Sequence, residues 1–292
     1  MGNQSTTEKK MDATWNEFKI HASNDIAAGG GRIYRGQQNA AWNLSTSLHR
    51  TKLVSGLHEF KGYADVYLPL VKDQVEAWTG RTWDLATPLG LAEFISFLQH
   101  NGFPTPLLDW SYSPYIAAYF AFEAINHFNP QCEKVAIYAF NRSLWQKSYQ
   151  QSHDFGDLTP HVSILTPRIV GNHKLAQQQG LFTWSNIPDI EGHIRQNEKD
   201  GLSFLTKYEL SVRERPVVMR ELSLMGITAI QLMPSVESVC KKALEDLIGM
   251  HSVHLPVNDD SHVVPAALED DGAGASAVWR QESDDHTDKA NE

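Results

Sequence analysis

Cysteine is nearly missing from this chain. Only Cys132 and Cys240 occur among 292 residues, too few for a disulfide framework, so a reducing, cytoplasmic setting is expected. No apolar run reaches the ~18 residues a membrane helix needs. The polar start "MGNQSTTEKK" has no apolar stretch of the secretory type, so no membrane partner is expected. Several catalytic signatures are missing as well: the GxxxxGK[ST] phosphate loop, the HExxH helix, the paired CxxC and the GxSxG elbow. Their absence argues against P-loop hydrolysis, zinc-protease chemistry and the serine-hydrolase arrangement. No cluster of metal-binding carboxylates is visible. His251 and His254 stand three apart without a further evident ligand, so no metal is expected.

Positive charge is also scarce overall, with a net charge of −10. The deficit is local. Between Asp259 and Glu292 ten acids stand against two bases, leaving the remaining chain at −2. A nearly neutral body still has room for a local basic cleft, so the global charge does not exclude a nucleic-acid partner. Apolar periodicity fades after about His254. Residues 1–255 therefore read as one domain with its core at about 30–240, and residues 256–292 as an acidic, disordered tail. The "AVW" patch at 277–279 within that tail suits either a recognition segment for a partner or part of a solubilising extension.

What is present is a mixture of helices and strands without regular βα alternation, which favours an α+β fold over a doubly wound sheet. Residues 12–23 suggest a short helix, and "AAGGGR" a flexible loop leading into the strand "RIYRG". Residues 57–78 read as a helix or helix pair, and "LAEFISFLQHNG" as a helix stopped by Asn101-Gly102. Leu107-Leu108 begin a short buried strand. Ser113 as N-cap and Pro114 at the first helical position open a helix. Its expected buried face is Ile116, Ala117, Phe120, Ala121 and Ala124. Strands are expected at "KVAIYAFN", around Leu181-Phe182, at "TKYELSV" and at "ITAIQLM". Helices are expected at "PVVMRELSLMG" and "VESVCKKALEDLIGMH".

Two stretches carry chemistry. In "RIYRGQQNAAWNLSTSLHR" the cation Arg35 sits at the centre of a strand, either solvated or holding an anion. In "LQHNGFPTPLLDWSYSPYIAAYFAFE" the polar residues Gln99, His100, Thr105, Asp109 and Ser111 are set between apolar ones. Asp109 is expected at the end of a buried strand, where a carboxylate must be paired or hydrogen-bonded. One reading makes it a helix cap or the partner of a structural arginine. The other makes it part of a polar cleft in which Arg35 and Ser111 converge on an anionic ligand.

These stretches resemble the FRG domain family. The resemblance rests on "YRGQ" with W-x-L-x-x-S-L-x-R at 34–50 and on residues 98–123, with further matches at 167–183 and 224–238. Pro106 departs from it, standing where "GLPTRLLDW" has an arginine. A second resemblance is to ADP-ribosyltransferases, through the aromatic-Arg-Gly strand, the strand ending in serine and the alanine-rich helix. It implies a split β-sheet core with flanking helices, NAD as co-substrate and transfer to a nucleic acid (RNA or DNA) or protein acceptor. It implies that Tyr34, Arg35, Gly36, Ser111 and Tyr112 bind NAD. It further implies that Gln179, or after it Glu209, completes the site, and that Asp109 or His100 acts as base. Tyr34, Tyr112 and Tyr119 are the aromatics available for stacking. Arg50 remains a surface or structural residue on this reading. The family context suggests a toxin-like effector in antiphage defence, with an antitoxin or chaperone partner engaged through the tail.

Overall fold

A computed structural model describes residues 10–126, 129–166, 173–198 and 202–254, with side chains up to residue 249. The expected tail, its "AVW" patch and the His251 and His254 side chains lie outside the described residues.

The chain runs through β1 (Lys10–Asp12), α1 (Trp15–Ala27), β2 (Arg32–Gln37), α2 (Ser47–Arg50) and α3 (Leu57–Gly62). A π-helical turn, Tyr63–Tyr67, joins α3 to α4 (Leu68–Thr79), and α5 follows (Pro88–His100). Then come β3 (Leu107–Ser111), α6 (Pro114–Phe122), β4 (Lys134–Asn141), α7 (Arg142–Ser148) and β5 (Val162–Leu165). The last part holds α8 (His173–Gln177), β6 (Gly180–Ser185), α9 (Ile190–Gln196), β7 (Leu205–Ser211), α10 (Arg215–Leu224), α11 (Ala229–Leu232) and α12 (Val236–His254). The expectation of an α+β fold is met. The expected strand at "ITAIQLM" is not: residues 227–228 are irregular and the short helix α11 follows. A seven-residue apolar run has no period that separates strand from short helix, and Thr228 precedes it at the N-cap position.

The described strands form one mixed sheet in the order β1-β7-β4-β2-β3-β6-β5. β1 is parallel to β7, and every other described neighbour pair is antiparallel. β2 pairs with β4 along its whole length, from Arg32 opposite Asn141 to Gln37 opposite Ala136. β3 pairs equally fully with β6. Between β2 and β3, however, the ladder holds at one bridge, Tyr34 opposite Ser111. The sheet therefore parts into two halves just beyond that bridge.

Strand alternation assigns the β2 side chains to two faces. Tyr34 joins Trp15, Phe18, Ile116, Ala117, Tyr119, Ile137 and Leu210 in the core beneath α1, α6 and α10. Ile33 joins Tyr138, Phe140, Trp110, Trp145 and Ile190 on the opposite face. A third core, with Leu48, Phe60, Phe94, Leu107 and Trp184, packs the helices between β2 and β3 onto the second half of the sheet. Fully burying such side chains contributes roughly 1.5–3 kcal/mol each. β4 is buried on both faces from Val135 to Phe140, as a central strand covered by helices on each side must be.

α6 lies unusually close to β2. A Cβ on Gly36 would stand 2.0 Å from the Ala117 carbonyl oxygen and 2.6 Å from the Ala121 nitrogen. The helix begins as expected, with the Ser113 hydroxyl accepting from the Ile116 N–H and Pro114 at the first position. It is buried almost all round, including Ala118, Tyr119 and Phe122. Phe120 is half-buried, and Ala124 lies exposed beyond the helix end, so the expected face was too narrow and too long. Arg215, 4% exposed, closes that end. Its Nε donates to the Phe122 carbonyl at 3.1 Å and its Nη2 to the Glu123 carbonyl at 3.2 Å. The same guanidinium forks onto Glu245, tying α12 to the body.

The outer edge of β5 is closed by side chains. Trp145 Nε1 donates to the Val162 carbonyl at 2.7 Å, and Gln151 Oε1 accepts from the Ile164 N–H at 2.7 Å. His153 Nε2 lies 3.0 Å from the Ile164 carbonyl oxygen. An edge occupied in this way offers little to another strand.

Two predictions follow from this packing. Gly36→Ala drives a methyl group into the helix backbone, which cannot yield as a side chain can. It should lower the unfolding free energy by about 3 kcal/mol or more, read from urea melts. The second concerns acid. Burial pushes His49 down to about 4, partly opposed by the Asn186 backbone. Burial also lowers His153 and His193. A histidine held neutral by the fold contributes its stability fully above its unfolded value of about 6.5. That contribution is lost as pH falls toward the folded value. Stability should therefore decline between about pH 6.5 and 4, by about 3 kcal/mol for His49. His49→Gln should flatten the decline in pH-dependent denaturation.

Candidate functional site

The parting of the sheet beyond Tyr34 and Ser111 leaves the Asp109 carbonyl turned toward β2 without a strand partner there. Arg35 supplies one: its Nη1 donates to that carbonyl at 2.8 Å. The same Nη1 lies 3.9 Å from Asp109 Oδ2, a loose ion pair. Arg35 thus spans the opening between the two halves. Its Nε is buried and has no hydrogen-bond partner among the described residues. The side chain keeps 18% exposure, yet the guanidinium is crowded enough that desolvation is the main influence on it. Desolvation pulls its pKa below the ordinary arginine value, Asp109 pushes it back up, and Arg50 lowers it again by like-charge repulsion. Arg50 is therefore within electrostatic reach of Arg35.

Asp109 was expected to be buried at a strand end. It sits within β3, and its side chain is 58% exposed. The neighbouring Leu108 and Trp110 are buried, whereas Asp109 points out where the sheet has parted. The expectation that its carboxylate is hydrogen-bonded and paired does hold. Oδ2 accepts from Gln99 Nε2 at 2.8 Å. Gln99 Oε1 in turn accepts from the Thr105 hydroxyl and, at 3.5 Å, from the Ser47 hydroxyl. Gln99 was visible in the sequence as a polar residue among apolar ones, but nothing there linked it to Asp109 rather than to water. His100, next in α5, is exposed. Desolvation and then Lys174 lower its pKa, while Asp109 opposes them. Asp109 thus acts on both Arg35 and His100, while Arg50 acts on Arg35 and Lys174 on His100.

A second group gathers at the far end of β3. Ser111 is 5% exposed, and its hydroxyl donates to the Gln178 carbonyl at 2.8 Å while accepting from the Ser113 N–H at 3.0 Å. These bonds commit it to shaping the strand-to-helix turn. The Tyr112 N–H donates to the Gln179 carbonyl at 3.0 Å. Gln179 is exposed and adopts the left-handed region at φ 47°, a conformation uncommon for a residue other than glycine. The Tyr112 hydroxyl accepts from Arg142 Nη1 at 3.1 Å, with that guanidinium 5.0 Å from the ring centroid. Arg142 gave no signal in the sequence, being separated from Tyr112 by thirty residues.

The remaining expected residues lie elsewhere. Tyr34 is on the opposite face from Arg35 and buried in the core, its hydroxyl donating to Asp25 at 3.3 Å. Gly36 faces α6 and serves close packing. Tyr119 is buried in the same core. Glu209 is 5% exposed and engaged by Lys10 at 3.0 Å and Lys207 at 3.5 Å. Pro106 is buried, and its carbonyl accepts from the Ser185 N–H at 3.0 Å. Among the described residues no group of His, Cys, Asp and Glu is arranged to hold a metal ion, and no helix is long and apolar enough to cross a membrane.

Ser111→Ala should cost about 1–3 kcal/mol, because the buried Ser113 N–H loses its acceptor and the Gln178 carbonyl its donor. Thermal denaturation measures this. A loss of ligand affinity without any loss of stability would instead mark the hydroxyl as a ligand contact.

Comparison with known proteins finds one family model that matches part of the chain. Residues 31–130, from β2 to the loop beyond α6, match the FRG domain. That span holds Arg35, Arg50, Gln99, His100, Asp109, Ser111 and Tyr112 and leaves out Gln179 and Glu209. No curated protein and no solved structure matches the chain.

Proposed function

We propose that the FRG domain of this chain binds NAD at the opening between β2 and β3 and transfers ADP-ribose to a nucleophile on a nucleic acid or protein. The observation that carries this reading is the Arg35 guanidinium in the opening, with Nε unpartnered among the described residues and Arg50 in electrostatic reach. A planar fork with a spare buried donor suits a pyrophosphate, which accepts parallel hydrogen bonds and supplies the charge that two arginines lack.

In this reading Arg35 fixes the phosphates and orients the ribose toward Asp109. The bond between the ribose C1′ and the nicotinamide nitrogen breaks, and its electron pair leaves with nicotinamide. A bond from C1′ to the acceptor heteroatom forms, and the acceptor proton passes to Asp109. The exposed Asp109 carboxylate also opposes the positive charge that develops at C1′. The ring of Tyr112, held by Arg142, offers a surface for a planar base. A toxin-like effector role belongs to the same proposal, since uncontrolled transfer would arrest growth.

One observation favours a second reading, a module that binds a nucleotide without turning it over. Glu209 is neutralised by two lysines within the fold, and Gln179 meets Tyr112 through its backbone. Asp109 is then left to serve the chemistry unaided.

Incubation with NAD labelled in its adenylate part, together with cell extract, separates the two. Transfer of label with release of nicotinamide is the expected result. Arg35→Ala should reduce it by about 100-fold or more, with the secondary structure retained by circular dichroism and a lowered melting temperature, because the Asp109 carbonyl loses its donor. Saturable NAD binding with no nicotinamide release would establish the module instead.

A further inference from the structure

The bond between Gln99 and Asp109 assigns a role to a residue that carries no charge and is a poor proton donor or acceptor in its own right. We infer that Gln99 is a positioning residue, which fixes the Asp109 carboxylate so that a single oxygen faces the ligand. The inference rests on the reading of Asp109 as the functional carboxylate of the opening.

The amide of Gln99 has no freedom to flip. Its Oε1 accepts from the Thr105 hydroxyl and faces the Ser47 hydroxyl at 3.5 Å. Those hydroxyls are themselves placed by backbone. The Thr105 N–H donates to Ser47 Oγ at 3.0 Å, Thr105 Oγ1 accepts from the Leu107 N–H at 3.2 Å, and Ser47 Oγ lies 3.3 Å from the Thr105 carbonyl. With the oxygen so directed, the Nε2 group must face Asp109, and it donates to Oδ2 at 2.8 Å. No described residue donates to Oδ1. The backbone carbonyl of Asp109 is meanwhile held by Arg35. Both ends of the residue are thus fixed, one by α5 and one by β2, and the carboxylate cannot rotate without breaking the bond to Gln99. A side chain 58% exposed would otherwise exchange rotamers freely, at the expense of orientation toward a bound ligand.

The chain of bonds supplies a selective test. In Gln99→Glu the oxygen that faces Thr105 and Ser47 is kept, so the support of α5 survives. The one lost element is the donor to Asp109, which is replaced by a like charge. Two adjacent carboxyl groups at neutral pH repel, and one of them is held protonated as pH falls. The shared proton then restores a donor between them. In the folded variant this pair binds a proton more tightly than the unfolded chain does, so stability gained by protonation grows as pH falls.

Turnover of labelled NAD and melting temperature are measured for wild type, Gln99→Glu and Gln99→Ala at about pH 7.5 and about pH 5.5. Gln99→Glu should lose about 30-fold in turnover number at the higher pH with KM for NAD within about threefold. It should recover at least about fivefold of that loss, relative to wild type, at the lower pH. Its melting-temperature deficit should shrink in parallel. Gln99→Ala, with no proton to share, should show neither recovery. A Gln99→Glu protein matching wild type in stability at both pH values would overturn the bond to Asp109. The stability signature with unchanged turnover would reduce that bond to a structural one and overturn the positioning role. If wild type transfers no label, the transfer reading fails by itself. The melting-temperature arm then still decides the bond, and NAD affinity by calorimetry replaces turnover: loss in Gln99→Glu with acid recovery sustains the positioning role, and unchanged affinity overturns it.

Discussion

The hydrogen bond from Arg35 to the Asp109 carbonyl is the contact on which the arrangement turns. A sheet that parts between two neighbouring strands leaves backbone groups facing the gap, and buried backbone groups without partners are costly. Here a side chain stands in for the missing strand. Because guanidinium has several donors in a fixed plane, it can close the gap and still keep Nε unpartnered. A lysine would present a point charge in the same place without that division of labour. The strand cation that looks anomalous in the sequence is therefore a structural bridge that also holds one buried donor, Nε, without a partner among the described residues.

The far face of β2 explains how such an opening is tolerated. Gly36 lets α6 approach until backbone nearly meets backbone, and α6 is buried almost all round. Arg215 then satisfies the carbonyls at the end of that helix and binds Glu245 of α12. The side of the sheet behind Arg35 is thus rigid. The side in front carries the polar residues: Gln99, Asp109 and the cations near them. A site of this kind gains precision because its supports are backbone and packed helix, not loop.

Much of the fold was legible in the sequence because its signals were local. The Ser113-Pro114 start of α6, the Asn101-Gly102 stop of α5 and the alternation of β2 each act within a few residues. "ITAIQLM" was misread because its apolar run is too short to show a period. The candidate site was legible in part. Arg35 and Asp109 stood out as charges in apolar strands, and their meeting across seventy-four residues could be supposed but not measured. Tyr34 and Gly36 were taken with Arg35 because they adjoin it in sequence, yet alternation sends them to the other face. Gln99 and Arg142 went unassigned because a polar residue on a helix gives no sign of its partner until the fold supplies one.

The charge balance of the opening bears on what it can hold. Desolvation already lowers Arg35, and Arg50 lowers it further; Lys174 does the same to His100. The one exposed carboxylate, with one oxygen taken by Gln99, faces Arg35, on which Arg50 also acts. An anionic ligand would relieve the repulsion between the two arginines, and the gain is larger for two negative groups than for one. In the proposed reading this repulsion favours a diphosphate over a neutral or cationic ligand. The single free oxygen of Asp109 adds a direction to that preference. In the proposed reading it offers an acceptor beside the phosphates, where a ribose hydroxyl or the proton of an incoming nucleophile would meet it. A phosphate-binding module has use for the cations but none for a carboxylate locked in one orientation beside them, since a like charge next to an anion weakens its binding. In the proposed reading that cost is offset by the chemistry the carboxylate does.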